Sequence, residues 1–443
     1  MPRRFYAGAM AVAARLCEAL PLRLLVITAF FSFHSLSSGA DSFTLDRAWA
    51  IAEKSNPALR AARTALLAAE GERIDARGLL WNNPQLSTDL TRRRAYQTGL
   101  PNETFGEWNV GLSQTFEIAG QQDYRRQSTQ HRLDAAQAYA AELRNDLRAE
   151  VELAFTRVLA LQKRVEAEEQ ALQLVESATT AVRKRVAAGE DSRLDGNLAS
   201  VEAERARNQL TVLREQLLRA RTDLAAVMQL PPDELPTATG ELSIPPPTFR
   251  LDELLEQAQR RPLLRNLDLR EQAARSALAL ERASAYPDVT LGLTVGREGP
   301  SDFRETFTML SVSVPLPLFK RNAAGVGRAS TELAQAQIQK QALTRDMQAE
   351  VRLQWTRLES LRARVDRLER GVIPVLDENQ RLSTISFRAG EIGLVQLLVV
   401  TRQLVDGRRD YLDAMSELVE TRIALERTAG VFGGGATATE GSR

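Results

Sequence analysis

Residues 108–122 read WNVGLSQTFEIAGQQ, a stretch in which a strand pattern gives way to a helix pattern. Up to Phe116, large apolar side chains alternate with small or polar ones, which is the two-residue period of a β-strand. From Gln121 the chain continues to Ala188 without glycine or proline, and these 68 residues are mostly good helix formers. At about 1.5 Å per residue, such a helix approaches about 100 Å. The stretch therefore predicts a short strand that leads into a very long helix.

The strand, at about 107–117, is one of four with this alternation; the others cover about 85–94, 288–297 and 306–316. Ten-residue strands with one apolar face are typical of transmembrane barrels, although a soluble sandwich has the same pattern. We expect the other face to line a water-filled lumen, and its residues are Gly111, Ser113, Thr290, Gly292, Ser311 and Ser313. A lumen filled by side chains is the alternative. Since lipid does not tolerate an open sheet edge, four strands must be pooled with those of other copies.

The whole pattern occurs twice, which indicates a tandem duplication. Five landmarks recur in the same order at offsets of 200 to 206: Phe43 at Phe249, Pro57 at Pro262, Pro84 at Pro287, Leu112-Ser113 at Val312-Ser313, and Gly189 at Gly390. The repeats are predicted at 41–230 and 249–430, with a Pro-rich linker at 231–248 and a flexible tail at 431–443. Each repeat should contain two short helices, two strands and two long helices.

The long helices carry the apolar spacing of a coiled coil, at 121–188 with 193–229 and at 322–388 with 392–429. Pro374 is expected to kink the longer helix of the second pair. An exported coiled-coil rod without a pore is consistent with the helices alone. The strands favour a channel whose helices cross the periplasm, and the predicted fold class is therefore mainly α with a small β part.

The N-terminal segment has the features of a secretory signal peptide, predicted at 1–40: arginines, the apolar run 24–33, and small residues before Asp41. A membrane-anchoring helix would need a longer apolar run than these ten residues. Removing four Arg and one Glu from the 58 basic and 57 acidic residues leaves 54 and 56. The only cysteine, Cys17, lies in the removed segment, where Arg15 disrupts a lipoprotein cleavage box.

The sequence contains few residues that could form a catalytic or metal-binding site. Beyond residue 40 there is no cysteine and His131 is the only histidine, so neither a nucleophile–base pair nor a zinc cluster is predicted. His131 should be a surface or seam residue, and Glu166, Glu168 and Glu169 a solvated helix face. We expect no enzymatic activity, no cofactor and no metal site, and the net charge of +1 gives no reason to expect nucleic acid.

Four segments resemble the TolC family of outer-membrane efflux proteins: NPALR (56–60), NNPQLS (82–87), LSQTFEIAGQQ (112–122) and SVPLPLFKRN (313–322). The last two together resemble its cobalt–zinc–cadmium resistance branch, although Lys320 replaces an expected acidic residue. The resemblance covers 43–430. It implies a homotrimer with a twelve-stranded barrel, four strands per chain, above a twelve-helix periplasmic tunnel. Its implied partners are a periplasmic adaptor (membrane fusion) protein and a proton-driven inner-membrane RND pump.

The expected function is therefore passive export of heavy-metal cations through an outer-membrane channel, with selection in the pump. A multidrug or type I secretion channel is the alternative. The resemblance implies that the two helix-reversal tips close the periplasmic aperture and dock the adaptor, through Gly189, Glu190, Asp191, Leu194, Gly390, Glu391 and Leu394. At the outer end of the first strand, Arg92, Arg93 and Arg94 are candidates for lipopolysaccharide phosphates, or are simply charged residues of a solvated loop.

Overall fold

The computed structural model describes residues 42–96, 103–242, 249–300 and 302–433. The predicted signal peptide, part of the linker and the chain from 434 onward lie outside these described residues. Within them the chain is mainly helical with a small β part. No helix of the described ranges is both long and apolar enough to cross a membrane.

The first repeat begins with two short helices that meet at a proline. Asn56 ends the first helix, and its Oδ1 accepts hydrogen bonds from the amides of Ala58 and Leu59 (2.9 and 3.1 Å), so the second helix starts at Pro57. The elements are β1 (Ser42–Phe43), α1 (Leu45–Ser55), α2 (Pro57–Ala76), β2 (Gln85–Ala95), β3 (Glu103–Phe116), α3 (Gln121–Ala187) and α4 (Arg193–Met228).

The second repeat has the same order of helices and strands. The linker contributes β4 (Thr237–Ala238), and the elements of the second repeat are α5 (Leu251–Gln259), α6 (Pro262–Ala283), β5 (Val289–Glu298), β6 (Glu305–Ser313), α7 (Ala323–Arg367), α8 (Ile373–Arg388) and α9 (Leu394–Ala429). A π-helical turn, Leu368–Val372, separates α7 from α8 directly before Pro374. Proline lacks the amide that would continue the helical ladder, so the long helix is interrupted at the position where the sequence predicts a kink.

The sheet joins the two repeats. Its order is β2-β3-β5-β6, and all neighbours are antiparallel. Leu86 lies opposite Leu112, Leu112 opposite Leu293, and Leu293 opposite Leu310, so one row of leucines crosses all four strands. Within the described chain β2 and β6 each pair on one side only, and the sheet therefore has two open edges.

A second, two-stranded sheet was not predicted. β4 lies inside the predicted linker and pairs in parallel with β1, with Phe43 opposite Ala238. The side-chain amide of Gln162 on α3 both donates to the Ala238 carbonyl and accepts from its amide (3.1 and 2.9 Å). Gln162 thus fixes this part of the linker to the long helix. A strand of two residues is too short to show an alternating pattern in the sequence.

Each repeat has its own apolar core, between its short helices and its long ones. The cores contain Leu147, Val151, Phe155, Val158, Leu217, Leu224 and Met228 in the first repeat, and Met347, Val351, Leu358, Leu361, Val365, Leu418 and Leu425 in the second. Burial of such side chains contributes roughly 1.5–3 kcal/mol each. Val151 and Val351 are equivalent by the duplication, and both are fully buried.

Candidate functional site

The apolar face of the four-stranded sheet is exposed along its whole width. Exposure is greatest on the edge strands, reaching 85% for Leu90 and 75% for Leu310, and Val110 on a central strand is still 42% exposed. The face consists of Leu86, Leu90, Trp108, Val110, Leu112, Leu291, Leu293, Val295, Leu310 and Val312. A continuous exposed apolar surface of this kind marks contact with lipid or with another protein.

The opposite face brings together all six residues predicted to line the lumen. Gly111 lies opposite Thr294, Ser113 opposite Gly292, and Gly292 opposite Ser311, while Thr290 lies opposite Ser313. A methyl carbon added at Gly292 would lie 2.5 Å from the Ser311 hydroxyl oxygen. The glycines therefore allow small polar side chains to lie flat across neighbouring strands.

Aromatic residues share this second face near its outer end, which the sequence analysis missed. Phe307 lies opposite Gly296, and a methyl carbon at Gly296 would come within 2.6 Å of the Phe307 ring. The ring thus lies against the wall of the sheet, over a glycine. Gly296 is the feature of the sequence that could have indicated this contact, since a glycine inside a strand often marks a close approach of another group.

The three consecutive arginines of β2 do not form one cluster. Arg93 lies on the small-residue face, and its Nη2 is 3.1 Å from a carboxylate oxygen of Glu107. Because side chains alternate along a strand, Arg92 and Arg94 lie on the apolar face instead. The three arginines are consecutive in sequence, but the register divides them between the two faces of the sheet.

Both helix-reversal tips are built in the same way. Gly189 and Gly390 have left-handed backbone angles, with φ of 80° and 78°. The amides that follow them, of Glu190 and Glu391, reach back to carbonyl oxygens five residues earlier at 2.9 Å. This is the hydrogen-bond pattern of a Schellman C-cap, which satisfies carbonyls at the helix end.

The tips differ in their exposed groups. Leu194 is 66% exposed, whereas Leu394 is 5% exposed and packs in a cluster from both hairpins. That cluster also contains Val182, Ala199, Phe387 and Leu397. Asp191 is held by Arg185 at 3.0 Å. Leu394 therefore fixes one hairpin against the other and is removed from the predicted docking surface.

Where the sheet meets the long helix, the LSQTFEIAGQQ motif forms a compact polar junction. Arg125 donates to both carboxylate oxygens of Glu117 (2.6 and 2.8 Å), and its guanidinium lies 3.9 Å from the centre of the Trp81 ring. Buried Gln121 donates to Asp288 at 3.1 Å. Burial raises the pKa of the Asp288 carboxyl, Glu117 adds to that rise, and Arg125 opposes it. The motif thus fixes the direction in which the helix leaves the sheet.

The carboxylates predicted to form a solvated face of α3 are not all solvated. Glu166 is exposed and Glu169 is half-buried, and they pair with Lys163 and Arg214 (3.2 and 2.7 Å). Glu168 is buried and pairs with Arg409 of α9 at 2.7 Å. This part of the prediction is wrong because α9 covers that side of α3, which a single helix sequence does not reveal.

Further along the same seam, Glu152 of α3 pairs with Arg422 of α9, which also donates to Glu426 at 3.2 Å. Burial raises the pKa of Glu426, and the Arg422 guanidinium opposes that rise. Charged contacts therefore join the first repeat to the second along much of α3.

Among the described residues, no group of three His, Cys, Asp or Glu side chains is arranged to hold a metal ion. His131 lies half-buried near the start of α3, and its Nδ1 has no hydrogen-bond partner. The candidate functional surfaces of the described residues are the two faces of the sheet and the tips of the helical hairpins.

The model of the outer membrane efflux protein family matches residues 50–228 and 254–431 of this chain, which is most of both repeats. The chain belongs to this family. The resemblance inferred from the four motifs is confirmed, and the chain is an outer-membrane efflux channel. Proteins of this kind are channels rather than enzymes.

The names of two relatives of the efflux protein refer to different solutes, metal ions in one and pyoverdine in the other. The cobalt-zinc-cadmium resistance protein CzcC of Cupriavidus metallidurans is 26% identical over 392 residues, 88% of this chain and 91% of CzcC. The pyoverdine export outer membrane protein OpmQ of Pseudomonas putida is 26% identical over 309 residues, 66% of this chain and 65% of OpmQ.

The fold is similar to that of the outer membrane protein VceC from Vibrio cholerae, with a TM-score of 0.71 at 20% identity. The match covers 87% of this chain and 96% of VceC. At this identity the similarity concerns the fold alone.

Proposed function

We propose that three copies of this efflux protein form one channel, with a twelve-stranded barrel on a twelve-helix tunnel, and that it exports heavy-metal cations. The observation that carries the assembly is the four-stranded sheet, with its exposed apolar face and two open edges. An open edge leaves backbone amides and carbonyls unpaired, and each unpaired group costs several kcal/mol in hydrocarbon. Sharing the edges among copies removes that cost.

Two measurements test the assembly. Detergent-purified protein should have the mass of a trimer after correction for bound detergent, and it should give ion conductance in planar bilayers. A monomer without detergent requirement and without conductance would instead support the coiled-coil rod.

Metal export is the finer part of the proposal. It is supported by the similarity to CzcC, which extends over more of this chain than the similarity to OpmQ at the same identity. With no metal-binding cluster in the described residues, selection would take place in an inner-membrane RND pump, and this chain would provide the conduit. A deletion strain should become sensitive to zinc, cobalt, cadmium or copper. Sensitivity to drugs alone, or loss of siderophore export, would favour the second candidate, a channel for organic solutes.

We place the docking of a periplasmic adaptor at the tips, through Gly189, Glu190, Asp191, Leu194, Gly390 and Glu391. Cysteine in place of exposed Leu194 should crosslink to the adaptor in cells. Leu394→Cys is the control at the other tip, since its side chain is buried there. No capture from Leu194→Cys would remove the tips as the contact, and equal capture from both positions would show that exposure of the side chain does not decide the crosslink.

Lipopolysaccharide phosphates are the proposed partners of Arg92 and Arg94, which lie on the apolar face. Arginine suits this contact because its guanidinium binds phosphate through two hydrogen bonds. Replacing both with Gln should reduce the lipopolysaccharide that copurifies. Arg93→Gln, on the other face and paired with Glu107, should leave it unchanged.

A further inference from the structure

The connection between β6 and α7 exposes three large apolar side chains within a short stretch. In residues 316–321, here called the junction segment, Leu316 and Leu318 are 73% and 70% exposed, and Phe319 is 97% exposed. The two residues that follow Phe319 are basic and also exposed. The segment therefore runs from apolar through aromatic to basic, which is the order of side chains from hydrocarbon to water at a membrane surface.

The junction segment lies at the end of the sheet from which the long helices leave. β6 ends at Ser313, and α7 begins at Ala323. Leu316 continues the alternation that places Leu310 and Val312 on the exposed apolar face. Under the proposed function the helices extend from the barrel into the periplasm, so the segment lies at the level of the inner, phospholipid leaflet of the outer membrane.

A neighbouring copy would leave the junction segment exposed. Ile118 of the first repeat is the equivalent of Leu318 at the offset of 200. It follows β3, which has a paired strand on each side within its own chain, and Ile118 is nevertheless 61% exposed. A second copy beside β6 would reproduce those surroundings, so Leu318 would remain accessible to lipid.

Hydrogen bonds to α6 hold the end of the segment in place. Asn322, which follows it directly, has a left-handed backbone with φ of 55°. Its Nδ2 donates to the carbonyl oxygen and to Oε2 of Glu281 (2.9 and 2.6 Å). Arg282 is the next residue, in the last turn of α6, and it is exposed. Together with Lys320 and Arg321, it makes three basic residues around one attachment point.

The charge of these three side chains is not neutralised by ion pairs. Among the described residues, none of the three has an ion-pair partner. The corresponding junction of the first repeat differs, because its Arg125 is paired with Glu117 through two hydrogen bonds. The second junction therefore combines exposed apolar side chains with an excess of positive charge, which is complementary to a lipid that carries a net negative charge.

We propose that the junction segment binds an anionic phospholipid of the periplasmic leaflet, with its apolar side chains against the acyl chains and with Lys320 and Arg321 on the phosphate. This assignment rests on the proposed channel. Arginine suits the contact because its guanidinium binds phosphate through two hydrogen bonds. Phosphatidylethanolamine is the poorer ligand, because its ammonium group is repelled by Lys320, Arg321 and Arg282. The acidic residue expected at position 320 from the family resemblance would repel the phosphate, and Lys320 attracts it.

Quenching by spin-labelled lipids tests both parts of the contact. In a Cys17→Ser background of the full chain, Phe319→Cys provides a single thiol for a bimane label. In bilayers of phosphatidylethanolamine and phosphatidylglycerol, nitroxide-bearing acyl chains should quench this label strongly. The control is Ser313→Cys, six residues earlier on the small-residue face, whose label should be quenched weakly.

The preference for the anionic lipid is measured by carrying the nitroxide on phosphatidylglycerol in one sample and on phosphatidylethanolamine in the other. Each basic residue at an anionic surface strengthens binding by about fivefold at low salt. Lys320→Gln with Arg321→Gln should therefore lower the preference by about fivefold for each charge removed. Arg352→Gln with Arg362→Gln, at exposed positions farther along α7, removes the same charge and should leave the preference unchanged.

The possible failures are distinct when every variant is first shown to be a conducting trimer. Quenching at position 319 no stronger than at position 313 would overturn the contact with lipid. An unchanged preference after loss of Lys320 and Arg321, or an equal loss in the α7 control variant, would overturn the phosphate contact. A wild-type protein that is a monomer without conductance would overturn the proposed function, and the lipid contact with it.

Discussion

Glu142 of α3 makes the most informative single contact between the two repeats. Its Oε1 accepts from Nε of Arg261 at 2.8 Å, and its Oε2 accepts from the amide of Leu263 at 3.1 Å, in the first turn of α6. The side chains of Glu142 and Arg261 are only 3% and 11% exposed. The carboxylate thus neutralises a buried guanidinium and satisfies the N-terminus of a helix at the same time.

Glu142→Ala should destabilise the protein by about 3 kcal/mol. Breaking a buried ion pair by removing one partner costs about 3–5 kcal/mol, because the remaining charge stays buried. Here the lower end applies, since Asp146 lies 3.7 Å from Arg261 and remains available. Glu142→Gln keeps an acceptor for Leu263 but loses the charge, so its cost should be intermediate.

Guanidinium unfolding of the detergent-purified protein, followed by helical circular dichroism, measures this difference. Glu166→Ala is the matched control on the same helix, because the side chains of Glu166 and Lys163 are 59% and 50% exposed. Exposed pairs contribute about 0–1 kcal/mol, so this variant should unfold almost like the wild type. If both alanine variants lost the same stability, the reasoning from burial would be refuted.

Three further outcomes are expected. Gly325→Ala should lower the free energy of unfolding by about 1 kcal/mol, because its methyl group would displace the Glu281 carboxylate of α6 from its hydrogen bond with the Asn322 side chain. Gly327→Ala, with open space around it, should stabilise α7 by about 0.5–1 kcal/mol. Burial raises the folded-state pKa of Glu426, so the folded protein binds the proton more tightly and stability should fall as the pH rises from 4.5 through that pKa. Glu426→Gln should remove this loss, and an unfolding midpoint equal to that of wild type at neutral pH would contradict it. Gly296→Val should push the Phe307 ring away from the sheet and reduce conductance in bilayers; adding Phe307→Ala should restore it.

Much of the architecture was predictable because it depends on local periodicity. The four strands run Gln85–Ala95, Glu103–Phe116, Val289–Glu298 and Glu305–Ser313, against predicted strands at about 85–94, 107–117, 288–297 and 306–316. Both tip glycines have the left-handed conformation that their position after a long helix suggests. The interruption of the helix before Pro374 follows from a missing amide.

The errors concern contacts between elements that are distant in sequence. Glu168 and Leu394 are buried by a second helix or hairpin, and nothing in their own helices indicates it. The consecutive arginines of β2 divide between two faces only once the register is known.

The sequence by itself determined the repeats, the long helices, the alternating strands and the family, because spacing and composition act along the chain. Only the tertiary structure decided which carboxylates are buried, which tip leucine is exposed and where the sheet remains open. Those properties depend on which surfaces meet in space, and burial of a charge or an apolar side chain is set by the neighbour that covers it.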